Sequence, residues 1–406
     1  MTAARISLCG ARTITIDGES RAPLSIVAGE ICAALPAHAY RIDLRDHVIA
    51  PGLVNAHEHL HLNAVPPLPT GAPFPNSYAW IAAFQAHFRD PAVVAALAIP
   101  KTLRLKHGAL KNLLAGTTCV VHHDPWHPAL DAADFPVALL RDYGWSYALG
   151  WPAYGPPVRQ SFDATPPDQP WMIHLAEGTD AAARAELAQL DALGCLASNS
   201  VLVHGVGLRE RDVDRVIECG AAVVWCPTSN RNLLGRTLDP RRLQGAGRLA
   251  LGSDSRLSGA RDLLEELRGV VDTGAFDARE ALALATTDAA RILRLPQRGH
   301  LAAGAHADLL IVADRGGEAA HGAIGIGRSE IRAVVRDGVP RIADPDFAEW
   351  FEVAGVETVP VTLDGRPKLL AKTLANPALV ALEPGLELAS WIDEAEREPA
   401  LAEGHY

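Results

Sequence analysis

The stretch Pro51-Gly52-Leu53-Val54-Asn55-Ala56-His57-Glu58-His59-Leu60-His61 decides how the rest of this chain is read. Pro51 and Gly52 punctuate the end of an irregular segment, and Leu53 and Val54 begin a short apolar run. His57 and His59 stand two apart. If the run is a strand that reaches them, its period of two puts both imidazoles on one face. Neutral imidazole is a good ligand for zinc or iron, so converging histidines suit a divalent metal. The same spacing also describes two partly exposed histidines near a strand end, and the rest of the chain must decide.

Before this stretch, Arg5–Leu8, Thr13–Ile16, Leu24–Val27 and Tyr40–Leu44 are short apolar or alternating runs separated by turn residues, a small β module. After it, from Leu53 to about Leu295, strand and helix patterns alternate, which argues for parallel β/α units. Strands are expected at Thr117–His122, Trp145–Leu149, Trp171–Leu175, Ser200–His204, Ala221–Trp225 and Arg248–Gly252. Helices are expected over 91–115, 132–142, 180–193, 209–219, 260–272 and 277–294. With the run from Leu53 this makes seven strands; an eighth, the fourth in order, would lie abbreviated in the Pro- and Gly-rich segment 150–169. Residues 299–338 return to β character and complete the N-terminal module. Beyond 345, Val356–Leu363 and Lys368–Leu370 suggest a hairpin turned at Asp364-Gly365, edge-like because of Pro360 and Pro367. Asp393 to Glu403 reads as a solvated acidic helix or tail.

Composition narrows the function classes. The 406 residues carry a formal net charge of −11 with no long basic run, so nucleic acid is not an expected partner. No apolar stretch approaches a membrane span, and no basic N-terminus leads an apolar core, so no membrane or secretory signal is expected. The six cysteines are scattered with no C-x-x-C pair, which suggests reduced thiols and a cytoplasmic location.

Polar residues recur at the ends of the expected strands, where β/α barrels gather their catalytic groups. His174 closes Trp171–Leu175, with Glu177 three residues later; His204 closes its strand; Asp254 follows Leu-Ala-Leu-Gly-Ser; His122-His123-Asp124 closes another. Singly, each has a structural reading: a hydrogen-bonded loop histidine, a carboxylate favoured at a helix N-terminus, or an N-cap. Jointly they point into one mouth.

The ordered set PGLVNAHEHLHLN, IHLAEG, VHGVGL, VVWCPTSN and LGSDS resembles the amidohydrolase superfamily, in the branch of cytosine, guanine and adenosine-type deaminases and triazine chlorohydrolases. The likeness covers about residues 5–340. It implies an α/β fold: a distorted (β/α)8 TIM-like barrel over 51–298 and a small composite β-sandwich from 1–50 plus 299–345; residues 346–406, beyond the likeness, read as a C-terminal extension. It implies one divalent metal, Zn2+ ahead of Fe2+ or Mn2+, held by His57, His59, His174 and Asp254. Catalysis would rest on Asp254, on Glu177 as proton shuttle, and on His204 at the water or the developing oxyanion. No lysine ends a fourth strand, against the two-metal, carboxylated-lysine subtype.

The resemblance does not extend to substrate contacts. His61, Asn63 and Trp80 in and after the first-strand loop, and His122, His123 and Trp126 in the second-strand cluster, are the candidates. Asn230 is expected to support the pocket floor. The expected activity is hydrolysis of a non-peptide C–N bond of a small molecule, a heterocycle or amidine deaminase. An amide or lactam hydrolase is the alternative, and a catalytically silent metal-binding homologue comes third. The extension leaves room for a homodimer.

Overall fold

The computed structural model describes residues 5–34, 38–68, 71, 73–151 and 153–389. The expected Asp393–Glu403 helix or tail lies outside them.

Eight parallel strands carry the polar residues: Leu53–Glu58, Thr117–His122, Ala138–Leu139, Gly144–Ala148, Trp171–Leu175, Ser200–His204, Ala222–Trp225 and Leu249–Leu251. The first three form one sheet and the last five another, each in chain order. A parallel bridge between Glu58 and Asp254 joins the first strand to the end of the eighth. There the Asp254 N–H donates to the His57 carbonyl and the His59 N–H to the Asp254 carbonyl, each at 3.0 Å. Inward residues such as Val54, Met172, Val203 and Val224 fill the centre of the array. Outward ones such as Leu53, Ile173, Leu202 and Val223 pack under helices. Burial on both faces explains why these strands read as continuous apolar runs rather than alternating ones.

Local chemistry sets the helices. In Glu210–Glu218, Val213 and Val216 turn inward, and Asp212, buried beside them, accepts from the Arg209 N–H at the helix start. Ala181–Ala192 starts at Asp180, whose side chain accepts from the Ala183 N–H, and Gly194 follows it at a left-handed φ of 66°. Lys101–Leu114 packs against the Leu60–Leu62 turn, and only glycine fits at 108: a Cβ there would stand 2.2 Å from the Leu60 oxygen.

Three expectations for this region need correction. Residues 132–142 are not helical; a short 3-10 turn, Pro128–Asp131, precedes the two-residue strand Ala138–Leu139, because Pro136 bars a helix through an Ala-rich run. That strand is the third of the array, so Gly144–Ala148 is the fourth, and segment 150–169 holds a helix, Val158–Ala164, rather than a strand. The 91–115 helix is two helices, Pro91–Ala98 and Lys101–Leu114, because Ile99 before Pro100 is forced into an extended conformation.

The two chain ends meet in a second module. His47–Pro51 pairs antiparallel with Leu309–Ala313 inside a nine-stranded sheet, and a four-stranded sheet holds Arg5–Cys9, Leu24–Val27, Glu30–Cys32 and Tyr40–Asp43. Ile6, Leu8, Ile26, Ile49, Leu309 and Ile311 share one apolar cluster between the sheets. The 346–406 stretch is no appendage as far as residue 389. Thr358–Leu363, Arg366–Ala371 and Leu386–Leu388 continue the nine-stranded sheet. The hairpin is not at the edge, since Leu386–Leu388 pairs outside it. Glu383, fully buried, is held by His107 of the Lys101–Leu114 helix and by Arg256 and Arg328. Those partners keep its carboxyl well below the usual range although burial opposes ionisation. Among the described residues no helix is long and apolar enough to cross a membrane.

Candidate metal centre and active site

Side chains from strands one, five, six and eight converge at one end of the parallel array. His59 Nε2 lies 3.3 Å from His174 Nε2 and 3.6 Å from Asp254 Oδ1, and His57 Nε2 is 3.5 Å from the same oxygen. Donors about 2.0–2.1 Å from a shared ion in tetrahedral arrangement stand roughly 3.3–3.4 Å apart. The observed edges match that spacing and are poor for direct contacts, two imidazole nitrogens least of all.

Each donor is aimed by a neighbour. His174 Nδ1 donates to the Tyr147 carbonyl at 2.8 Å, which leaves Nε2 for the centre. His59 Nδ1 donates to Asp124 Oδ2 at 2.6 Å, and Tyr154 donates its hydroxyl to Asp124 Oδ1 at 2.6 Å. Ser229 and Ser258 donate to Asp254 Oδ2 at 2.7 and 2.6 Å, so Oδ1 is the oxygen left to face the histidines. Such outer partners orient metal ligands. Neither ring nitrogen of His57 finds a hydrogen bond although both are buried, as expected of a ligand without its ion. The residues therefore fit a divalent metal.

The electrostatics of His57 and His174 suit metal ligation. Burial holds His57 near pKa 4 and His174 well below its ordinary value, so both are neutral donors at pH 7. Burial also opposes charge on His59, but Asp124 overrides it and raises the group to about 9. Asp254 is held well below its ordinary range, because His57 and His59 outweigh burial. Glu177 is shifted the other way, upward, chiefly by burial. Its Oε1 is 3.5 Å from His204 Nε2. The Nδ1–H of His204 donates to Asn230 Oδ1 at 2.8 Å, which makes Asn230 the residue that orients it. His204 and Asp254 both have left-handed backbones, φ 77° and 61°. Non-glycine residues are held there only by strong surroundings, and such strain gathers at functional sites.

A cavity of about 370 Å³ opens onto His59, His174, Glu177, His204 and Asp254, within the range of small-molecule sites. Trp80 and His61 line it, as the sequence suggested. Four other candidates do not. Asn63 is buried, donating to Glu58 and to the carbonyls of His59 and Leu60, and it ties down the turn. His122 is buried beside His61 and accepts from the Leu60 N–H at 3.3 Å. His123 donates to the Ser146 carbonyl and stacks on His174 at 4.4 Å, with its buried Nδ1 near the donor atoms of His57 and His174. Trp126 is 40% exposed and donates to Asp131.

Sequence reasoning missed the supports: Asp124 as the partner of His59, Tyr154, Ser229 and Ser258. It also missed the role of Glu58 between the two histidines. Glu58 forms a fully buried ion pair with Lys111 at 2.7 Å and accepts from Asn112 and Ser253. Lys111 therefore braces the first strand from behind.

A parallel β/α array with histidines and an aspartate at its strand ends is the scaffold of metal-dependent hydrolases. An Amidohydrolase family model matches residues 163–352. A 5-methylthioadenosine/S-adenosylhomocysteine deaminase of Haloquadratum walsbyi is 36% identical over 130 residues, 30% of this chain and 29% of that protein. One from Nitratidesulfovibrio vulgaris is 25% identical over 374 residues, 74% of this chain and 80% of that protein. The chain thus spans under a third of the first relative's length in the match. Among solved structures, a zinc-bound adenosine deaminase from Xanthomonas campestris superposes with a TM-score of 0.65 at 22% identity, over 87% of this chain and 97% of that one, implying a TIM-like barrel. Over residues 163–352 the chain is therefore similar to the amidohydrolase family, and over most of its length it shares the fold of the zinc-bound deaminase.

Proposed function

We propose that this chain is a metal-dependent hydrolase of a non-peptide C–N bond that deaminates a small amino-heterocycle. The proposal divides the chain into a distorted (β/α)8 barrel over 51–298 and a composite β-sandwich from 1–50 plus 299–345, extended by the strands beyond it. The observation that carries it is the approach of His59 to His174 and of Asp254 to both His57 and His59, at 3.3–3.6 Å, beside the paired Glu177 and His204.

Those four residues would hold one divalent ion, zinc by preference for a nitrogen-rich donor set with one carboxylate. When bound, the ion supplies Lewis acidity and lowers the pKa of water to about 7. Asp254 Oδ1 accepts the proton of the attacking water, while its Oδ2 stays fixed by Ser229 and Ser258. Glu177, kept protonated more readily by burial, delivers a proton to the ring nitrogen or to the departing amine. His204, held through Nδ1 by Asn230, turns Nε2 toward the attacked centre beside Glu177. The carbon–nitrogen bond to the amine breaks as water's oxygen stays on the ring, and ammonia leaves.

The names of the relatives, deaminases of 5-methylthioadenosine, S-adenosylhomocysteine and adenosine, support the choice of a heterocyclic amine. Ammonia release from a library of purines, pterins and pyrimidines by zinc-loaded enzyme tests it. Release of a carboxylate with an organic amine, and of ammonia from no ring, would make it an amide or lactam hydrolase instead.

A further inference from the structure

Two cations face the same cavity and nothing so far uses them. Lys101 and Arg104 lie in the first turn of the Lys101–Leu114 helix, three residues apart and so on one face. Both line the cavity that holds Glu177 and Asp254. Arg104 is only 8% exposed, yet no carboxylate meets it: Nε donates to the Ile99 carbonyl at 3.0 Å and Nη1 to the His61 carbonyl at 2.8 Å. Its Nη2 makes no hydrogen bond, and the Lys101 ammonium makes neither hydrogen bond nor ion pair, among the described residues.

Stability does not account for this pair. Cations at a helix N-terminus oppose the helix dipole, and the first turn holds no acid to offset them. Three other buried cations are met by carboxylates: Arg328 by Asp364 and Glu383, Arg298 by Asp308, Lys111 by Glu58. A buried, incompletely paired guanidinium is costly unless a ligand completes it. The carboxylates nearby are engaged, Asp124 by His59 and Tyr154, Asp254 by the two serines and the histidines. The Ile99-Pro100 break is what lets a helix begin here and turn these residues to the cavity.

We infer that Lys101 and Arg104 form an anion subsite, so that the substrate is an amino-heterocycle carrying a carboxylate or phosphate. This deepens the proposed deaminase reading and rests on it for the ring. Guanidinium and ammonium together suit either oxyanion. Trp80 and Phe84, stacked at 5.7 Å on the wall of the same cavity, offer an apolar face to the ring.

The test has two arms on zinc-loaded enzyme. The first measures ammonia release from adenosine, its 5′-carboxylate and its 5′-phosphate; kcat/KM for one anion should exceed the neutral compound at least about tenfold, chiefly through KM. The second measures calorimetric binding of naphthylacetate, naphthyl phosphate and naphthylacetamide, with the same expected preference. In Lys101→Met and Arg104→Met both preferences should fall to within about threefold, and Arg104→Lys should restore part. Lys101→Met keeps the test sound if the arginine variant does not fold, because the lysine makes no internal bond. Equal turnover and binding of neutral and anionic compounds overturns the inference and leaves deamination standing. A preference that survives both variants also overturns it, since the anion then binds the metal. If no compound releases ammonia but naphthyl binding behaves as expected, the subsite stands and the deaminase reading falls.

Discussion

Replacing Asp124 by asparagine tests whether the centre is built from the outside in. The carboxylate receives two donors, the His59 Nδ1–H on Oδ2 and the Tyr154 hydroxyl on Oδ1, both at 2.6 Å. An amide has one acceptor oxygen, so either His59 or Tyr154 would face an NH2 group, donor against donor. The charge-assisted bond that orients His59 is weakened or lost. Outer partners of this kind contribute about 10–100-fold to metal affinity, or roughly 1.4–2.7 kcal/mol. Competition for zinc against a chromophoric chelator at fixed pH reads the change directly. Tyr154→Phe is the control; it removes one neutral donor and should cost less than about tenfold. Thermal melting with and without chelator shows whether the variant remains folded. A folded Asp124→Asn protein that binds zinc within about twofold of the parent would refute the argument, because His59 would then need no carboxylate to face the ion.

Further outcomes follow from the same geometry. Asp254→Asn should abolish turnover while far-UV circular dichroism is unchanged, whereas Glu177→Gln should retain zinc by elemental analysis and lose about 10²–10⁴ in kcat; zinc lost from the second variant would make Glu177 a ligand. Lys111→Met leaves Glu58 buried and unpaired and should cost about 3–5 kcal/mol in urea unfolding, far more than a surface lysine. Burial raises Glu266 to about 7, with its Oε2 lacking a partner. The folded form binds the extra proton, so this group's contribution is full below about pH 4.5 and fades as pH rises through 7. Glu266→Gln should therefore flatten the fall in stability across that window by a few kcal/mol at most, and an unchanged slope would show that another group causes it.

His57, His59, His174, Glu177, His204 and Asp254 were legible in the sequence because each ends a short apolar run whose period is local. The same reading failed at Ala138–Leu139, where two residues are too few to show a period and the alanines beside them mimic a helix. At His122 and His123 residue type left open which of the two turns toward the centre; packing sets His123 against His174 and His122 against the Leu60 turn. Burial of Asn63 and exposure of Trp126 are likewise products of packing, which residue type does not report.

The sequence by itself determined the alternation of parallel strands and helices, the donor residues at the strand ends, and the family whose order of motifs they follow. Those are properties of neighbours in the chain. Only the tertiary structure decided that Asp124 serves His59, 65 residues away, that Lys111 neutralises Glu58, 53 away, and that Glu383 clamps Arg256, 127 away. Such pairs have no spacing to recognise, because they are set by how strands and helices pack. The same holds for Lys101 and Arg104: their charge is visible in the sequence, but their lack of acidic partners beside a cavity is visible only once every carboxylate has been placed.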